Sequence, residues 1–201
     1  MTQITAQQVQ ELRRRTGAGM MACKSVLTTT SGDLDRAVEM LRKEGIAKAE
    51  SRTVRVTGEG RIGSYVHHNG RIAAIVEVNC ETDFVARTDE FQTLVRNLAE
   101  QVAAAAPLAI EWSELPPAVV LERRREYERQ VRASDKPEAL VERIVSGRLD
   151  AFAREVVLVQ QAWIRDAGKT IGELVSETSA VLGEAVSVRR FARFVVGEDL
   201  A

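Results

Sequence analysis

Residues 61–79 leave this chain few ways to fold. Two strand-like stretches, 61–68 and 71–79, flank the dipeptide Asn69-Gly70. That arrangement is the strongest short-range signal for a β-hairpin, because Asn and Gly both accept the positive φ of a two-residue type I′ turn. In the resulting register Tyr65 faces Ala74 and His67 faces Ile72, while Ile62, Val66, Ala73 and Ile75 lie on the other face. Side chains alternate along a strand, so both faces read as largely apolar, which predicts at least partial cover on each.

The hairpin ends in Asn79-Cys80-Glu81-Thr82-Asp83-Phe84-Val85-Ala86, where the chain passes to a helix and a carboxylate stands beside a large ring. Two readings fit. Phe84 could plug the domain's own core with Asp83 as turn chemistry, or both could be exposed and aimed at a partner. Taken alone, the residues favour the plug, since buried Phe is the commoner case.

Around this junction the periodicities predict an α+β fold. Three short helices fill residues 1–46, read as a docking module because so small a core is marginal on its own. Thr5 and Gln8 form a capping box, with Ile4 and Val9 as a hydrophobic staple, and Gly17 ends the first helix. Met20, Cys23, Val26 and Leu27 share one side of the second. Ser31-Gly32 breaks it, and Asp33 caps a third with Leu34, Ala37, Val38 and Leu41 at helical spacing. Residues 47–57 read as a linker, and 58–201 as the core. Within it Thr88 caps a helix over 89–106, with Phe91, Leu94, Leu98 and Val102 facing inward. Two charged helices joined by the turn 134–137 predict a helical hairpin over 117–154, each arm about 25 Å long. A short strand at 156–159, a helix capped by Thr170 with Glu173, and a strand over 186–196 complete the chain.

Composition narrows the function. The chain has 28 basic and 29 acidic residues, a net charge of −1, whereas a dedicated nucleic-acid binder carries a large basic excess. No apolar run approaches the ~20 residues that span a bilayer, and no secretory signal is visible, which predicts a soluble cytoplasmic protein. Cys23 and Cys80 form no Cys-x-x-Cys pair and read as free thiols of a reducing compartment. The only histidines, His67 and His68, are strand neighbours expected on opposite faces, so they cannot converge on one atom. His67 reads from its position as a packed structural histidine. The segment from Gly19 to Lys24-Ser25 lacks the second glycine of a phosphate loop and follows no apolar strand. No enzyme site, metal or cofactor is expected.

Two blocks, however, resemble the bacterial translation elongation factor Ts family. One is Leu12-Arg-Arg-Arg-Thr-Gly-Ala-Gly-Met-Met-Ala-Cys-Lys24; the other is Glu77-Val-Asn-Cys-Glu-Thr-Asp-Phe-Val-Ala-Arg87. Gly63-Ser-Tyr-Val-His67 and the ending from Val188-Arg-Arg-Phe191 through Gly197 are similar to further family segments. The resemblance spans essentially the whole chain. It implies a guanine-nucleotide exchange factor for elongation factor Tu, acting by binding rather than covalent catalysis. It implies a helical module like a ubiquitin-associated domain, an antiparallel-sheet-and-helix dimerisation core, and a protruding helical hairpin. The module would dock through Leu12, Arg13, Gly17, Met20, Met21 and Lys24. Thr82, Asp83, Phe84 and Val85 would intrude near the partner's Mg²⁺ and phosphate site, Phe84 as a wedge and Asp83 as its polar companion. His67 is a further candidate contact.

Departures matter as well. Many family members have two core subdomains, whereas this chain has length for one, which implies a homodimer. Ala22 and Ser25 stand where family members often carry an acidic residue and a lysine, and Gln161-Ala162-Trp163 stands for Gln-Pro-Phe. The rival readings are an adaptor module on a dimerising core without exchange activity, and an RNA-associated protein using Arg123, Arg124, Arg125, Arg189, Arg190 and Arg193. The Thr-Asp-Phe-Val block counts against the first and near-neutral charge against the second.

Overall fold

Helices and an antiparallel sheet together make up the protein, as the periodicities predict. The structure, a computed structural model, describes residues 4–16, 18–50, 56–134 and 137–198. Three helices open the chain: α1 (Ala6–Thr16), α2 (Met20–Thr29) and α3 (Leu34–Glu50). Strands β1 (Glu59–Val66) and β2 (Ile72–Cys80) lead to the single-turn α4 (Asp83–Ala86) and to α5 (Asp89–Ala105). Then come α6 (Pro117–Arg132), α7 (Glu138–Val156), β3 (Ala162–Trp163), β4 (Asp166–Thr170), α8 (Ile171–Leu182) and β5 (Val186–Val195). The main sheet has the order β1-β2-β5, and β3 pairs with β4 in a separate antiparallel ribbon. The chain divides into two compact units, one of Met1–Arg61, Val78–Leu94 and Glu173–Ser187, the other of Ile62–Glu77, Val95–Gly172 and Val188–Ala201.

In the first unit the helical module has the caps its sequence predicts. The Gln8 amide N–H donates to Thr5 Oγ1 at 3.2 Å, and Thr5 N–H donates to Gln8 Oε1 at 2.9 Å. Asp33 Oδ1 accepts from the N–H groups of Asp35 and Arg36. Between α2 and α3 the chain turns through positive φ at Ser31 and Gly32, which glycine adopts freely. Val9, Leu12, Cys23, Val26, Leu27, Ala37 and Leu41 form the core, with Ile4 packed against it. Met20 departs from its expected side: it is half exposed, because one turn ahead of Cys23 it lies at the rim of the buried stripe. Gly17 lies outside the described residues. Helix α3 runs on to Glu50, four residues into the stretch read as a linker.

The second unit holds most of the hairpin. His67 N–H donates to Ile72 O at 2.8 Å, so the predicted register stands. The turn differs. Gly70 N–H closes onto His67 O at 2.7 Å, which makes His68 and Asn69 the central residues of the turn, and of the Asn69-Gly70 pair only Gly70 has positive φ. The loop is therefore four residues, 68–71, instead of a type I′ pair. Asn69 instead folds its side chain back, Oδ1 accepting from Arg71 N–H at 3.0 Å. Because β1 ends at Val66, both histidines fall at the turn, and their ring centroids are 4.2 Å apart. The expectation that they point to opposite faces fails for that reason.

Cover on both faces also fails within the single chain. Gly63, Ala74 and Val76 are buried, and a Cβ added at Gly63 would stand 2.4 Å from Val95 Cγ1, so α5 lies hard against that face. On the other face Ile62, Val66 and Ile75 are exposed. β5 extends this face: Val196 N–H donates to Arg71 O and Arg190 pairs with Glu77, a register that places exposed Phe194 there too.

Helices α6 and α7 pack on each other around Val131, Val141 and Val145, with ion pairs from Arg124 to Glu128 and Glu142. No strand forms at 156–159. Helix α7 continues to Val156, Val157 makes a lone bridge to Ala109, and Leu158–Gln160 is a 3₁₀ turn. Val157 and Leu158 are fully buried, so apolar residues in a helix end and turn imitate a strand. The β3–β4 ribbon is unforeseen. Its anchor is Gln101, fully buried on α5: Nε2 donates to Gln161 Oε1 and Ala162 O, while Oε1 accepts from Ile164 N–H. Gln161 Nε2 donates in turn to Ala105 O and Glu155 O.

Candidate functional site

The chain leaves β2 through a turn that is tied at several points. Thr82 is the N-cap of α4, its Oγ1 accepting from Val85 N–H at 3.4 Å. Thr88 caps α5 next, accepting from Phe91 N–H at 3.3 Å. Two caps six residues apart confine α4 to a single turn, with Ala86 as its buried residue.

This geometry excludes one of the two readings of Phe84, the core plug. The ring is 78% exposed and plugs nothing within the chain. Asp83 beside it pairs with Arg87, one helical turn on, at 2.8 Å. Val85 is half buried. A large exposed aromatic on a turn fixed from both ends has a set direction, and that is what an interface anchor requires.

Behind the turn lies a residue that sequence reasoning missed. Glu184, just past α8, accepts three hydrogen bonds: Oε2 from the N–H groups of Glu81 (3.1 Å) and Thr82 (3.0 Å), Oε1 from the Thr82 hydroxyl (2.6 Å). The tie is returned by Glu81 Oε1, which accepts from Ala185 N–H at 2.7 Å. Glu184 and Thr82 stand 102 residues apart, and no local motif links them. Cys80 is buried at the same place, with its thiol donating to Thr82 O at 3.1 Å. Burial, and next the Glu184 carboxylate, push this thiol up to about 11 from its ordinary 9.0. It therefore stays protonated and weakly nucleophilic at neutral pH. In native protein at pH 8 neither cysteine should react with an aromatic disulfide reagent, and both should react once urea unfolds the chain. Since the folded value is the higher one, the stability tied to the protonated thiol is complete below pH 9.0 and declines as pH rises towards about 11.

The proposed docking residues divide by exposure. Arg13, Met20, Met21 and Lys24 are exposed, Met21 at 79%. Leu12 is fully buried in the module core, so it can act only by supporting the others. His67 is half buried, its Nδ1 3.1 Å from the Tyr65 hydroxyl. Among the described residues no group of His, Cys, Asp and Glu could hold a metal, and no helix is long and apolar enough to cross a membrane. Four arginines of the RNA reading pair with carboxylates: Arg123 with Glu126, Arg124 with Glu128 and Glu142, Arg190 with Glu77, Arg193 with Glu198.

Comparison with known proteins agrees. The family model described as Elongation factor TS matches residues 19–198. The chain belongs to the elongation factor Ts family. An elongation factor Ts of Geobacter sulfurreducens is 49% identical over 198 residues, covering 98% of this chain and 91% of that protein. One from Anaeromyxobacter dehalogenans is 48% identical over 200 residues, covering 100% and 91%. One from Geotalea uraniireducens is 46% identical, covering 98% and 92%. The second signature block and the exposed turn lie inside the matched region, which begins within the first block.

Proposed function

We propose that this guanine-nucleotide exchange factor for elongation factor Tu works by inserting the turn Thr82–Val85 beside its partner's nucleotide site. The observation that carries the mechanism is Phe84, a ring left 78% exposed on a turn fixed from both ends. Mg²⁺ bridges nucleotide phosphates and protein ligands, so a wedge that displaces it removes a large part of the affinity for GDP. Exchange factor and GDP then weaken each other's binding, and the coupling is reciprocal. GTP can enter once GDP has left, and no bond in the nucleotide is broken. A thousandfold acceleration corresponds to about 4 kcal/mol of barrier, within reach of one aromatic anchor and its surroundings.

Residues 1–46 are the docking module, ubiquitin-associated-like in kind, with Arg13, Gly17, Met20, Met21 and Lys24 as its contacts and Leu12 supporting them from the core. Residues 47–57 link it to the core at 58–201, whose helical hairpin 117–154 projects. His67 is a further contact. The work is done in the cytoplasm, without cofactor, nucleic acid or membrane.

A second copy of the chain completes the core. The exposed sheet face with Ile62, Val66, Ile75 and Phe194 supports this, since a monomer rarely leaves so many large apolar side chains together in water. Light scattering should give twice the chain mass, and Ile75→Lys with Phe194→Glu should give one chain mass. A monomeric wild type would end the dimer proposal.

Release of a fluorescent GDP from elongation factor Tu tests the mechanism. Adding the protein should accelerate release by about a thousandfold at saturation. Release at the unassisted rate would overturn it.

A further inference from the structure

We propose that Glu184 is a positioning residue of the exchange site, holding the turn so that Phe84 points the way it does. The inference rests on the reading of Phe84 as the wedge. Helix α4 has only four residues, too few to persist by its own hydrogen bonding, so something outside it must set its direction. The Glu184 carboxylate reaches the chain at the point where β2 ends and α4 begins. It accepts both N–H groups that precede the helix and the hydroxyl of the capping residue itself. Charge-assisted bonds of this kind are the stronger class, and three on one carboxylate fix its orientation as well as its distance.

Glu184 is itself held. Ser179 Oγ donates to Glu184 O at 2.5 Å, and Gly183, with φ of 77°, lets α8 end abruptly so that the next side chain turns towards residues 81 and 82. The same α8 carries the helical module. Arg42 of α3 pairs with Glu177 at 2.6 Å and reaches Glu173 at 3.6 Å. A Cβ added at Gly45 would come within 3.1 Å of Ala180 Cβ. One rigid helix therefore bears on α3 of the docking module along its length and on the wedge at its end. Docking sets where α8 lies, and Glu184 passes that placement to Phe84.

The test is GDP release from elongation factor Tu as a function of exchange-factor concentration, using full-length Glu184→Ala, Glu184→Asp and Glu184→Gln. A misplacement of ~1 Å at a reacting site can cost about a hundredfold in rate, so Glu184→Ala should lower the maximal release rate by at least about tenfold. The half-saturating concentration, set by the module, should stay within about twofold. Gln keeps the shape, with one oxygen for the two N–H groups and an N–H₂ for the Thr82 oxygen, and should restore the rate. Asp keeps the charge but falls short, and should not. In a double-mutant cycle, Glu184→Ala should add little to Phe84→Ala. Wild-type release by the Ala variant, or Asp matching wild type while Gln fails, would overturn the positioning role. If Ala does not fold, the contrast of Asp with Gln decides. The outcome for Phe84→Ala separates the two readings: its own failure to slow release would sink the wedge, whereas slow release with a normal Glu184→Ala sinks only the positioning.

Discussion

Phe84→Ala loses most of the acceleration of GDP release while its thermal unfolding midpoint stays at that of the wild type. The ring is 78% exposed, so truncating it opens no cavity and leaves no buried group unpaired. Exposed substitutions of this sort are usually within about 0.5 kcal/mol in stability. The same ring, once buried against a partner, is an aromatic hot spot worth about 2–4 kcal/mol, or roughly a thirtyfold to thousandfold fall in rate. A melting scan and a fluorescent-GDP release assay on one preparation read both quantities. An unfolded variant, or one as active as wild type, would remove Phe84 from the mechanism.

Seven residues on, Phe91→Ala gives the opposite pattern. Phe91 is fully buried near the start of α5, beneath the cap that Thr88 makes with its N–H. Phe-to-Ala changes in cores cost about 3–5 kcal/mol, the transfer term plus the cavity. Typical total stability is about 5–15 kcal/mol, so the loss is a large share of it. Urea unfolding should show a much lower midpoint with a similar slope. A midpoint within experimental scatter of the wild type would mean that the site collapses around the missing ring. The folded fraction should still exchange GDP, because the wedge itself is intact.

The pair also explains what could be read in the sequence and what could not. Both phenylalanines belong to helical segments with apolar neighbours, and frequency favours burial for each. Only Phe91 lies on a long stripe with Leu94, Leu98 and Val102, and all four are buried. Phe84 sits on one isolated turn, where no period exists to assign a face. The resemblance to a family, not the residues, pointed outward. Local signals held where their chemistry is local: Thr5 with Gln8, Asp33, Thr88 and the register of the hairpin. They failed where tertiary burial made the pattern, as at Val157 and Leu158, and where a turn had more than one solution, as at Asn69-Gly70. Glu184 was beyond reach, since a hydrogen bond spanning 102 residues leaves no trace in spacing.

The two buried glutamines bind this chain's future substitutions together. Gln101 and Gln161 share one hydrogen bond and between them satisfy main-chain groups of Ala105, Glu155, Ala162 and Ile164. Replacing either alone strands polar atoms in the interior, at about 1–3 kcal/mol for each group left unpaired. An apolar residue at one position helps only if its neighbour and the ribbon's backbone rearrange at the same time. Drift at this place must therefore pass through a less stable intermediate or proceed by paired change.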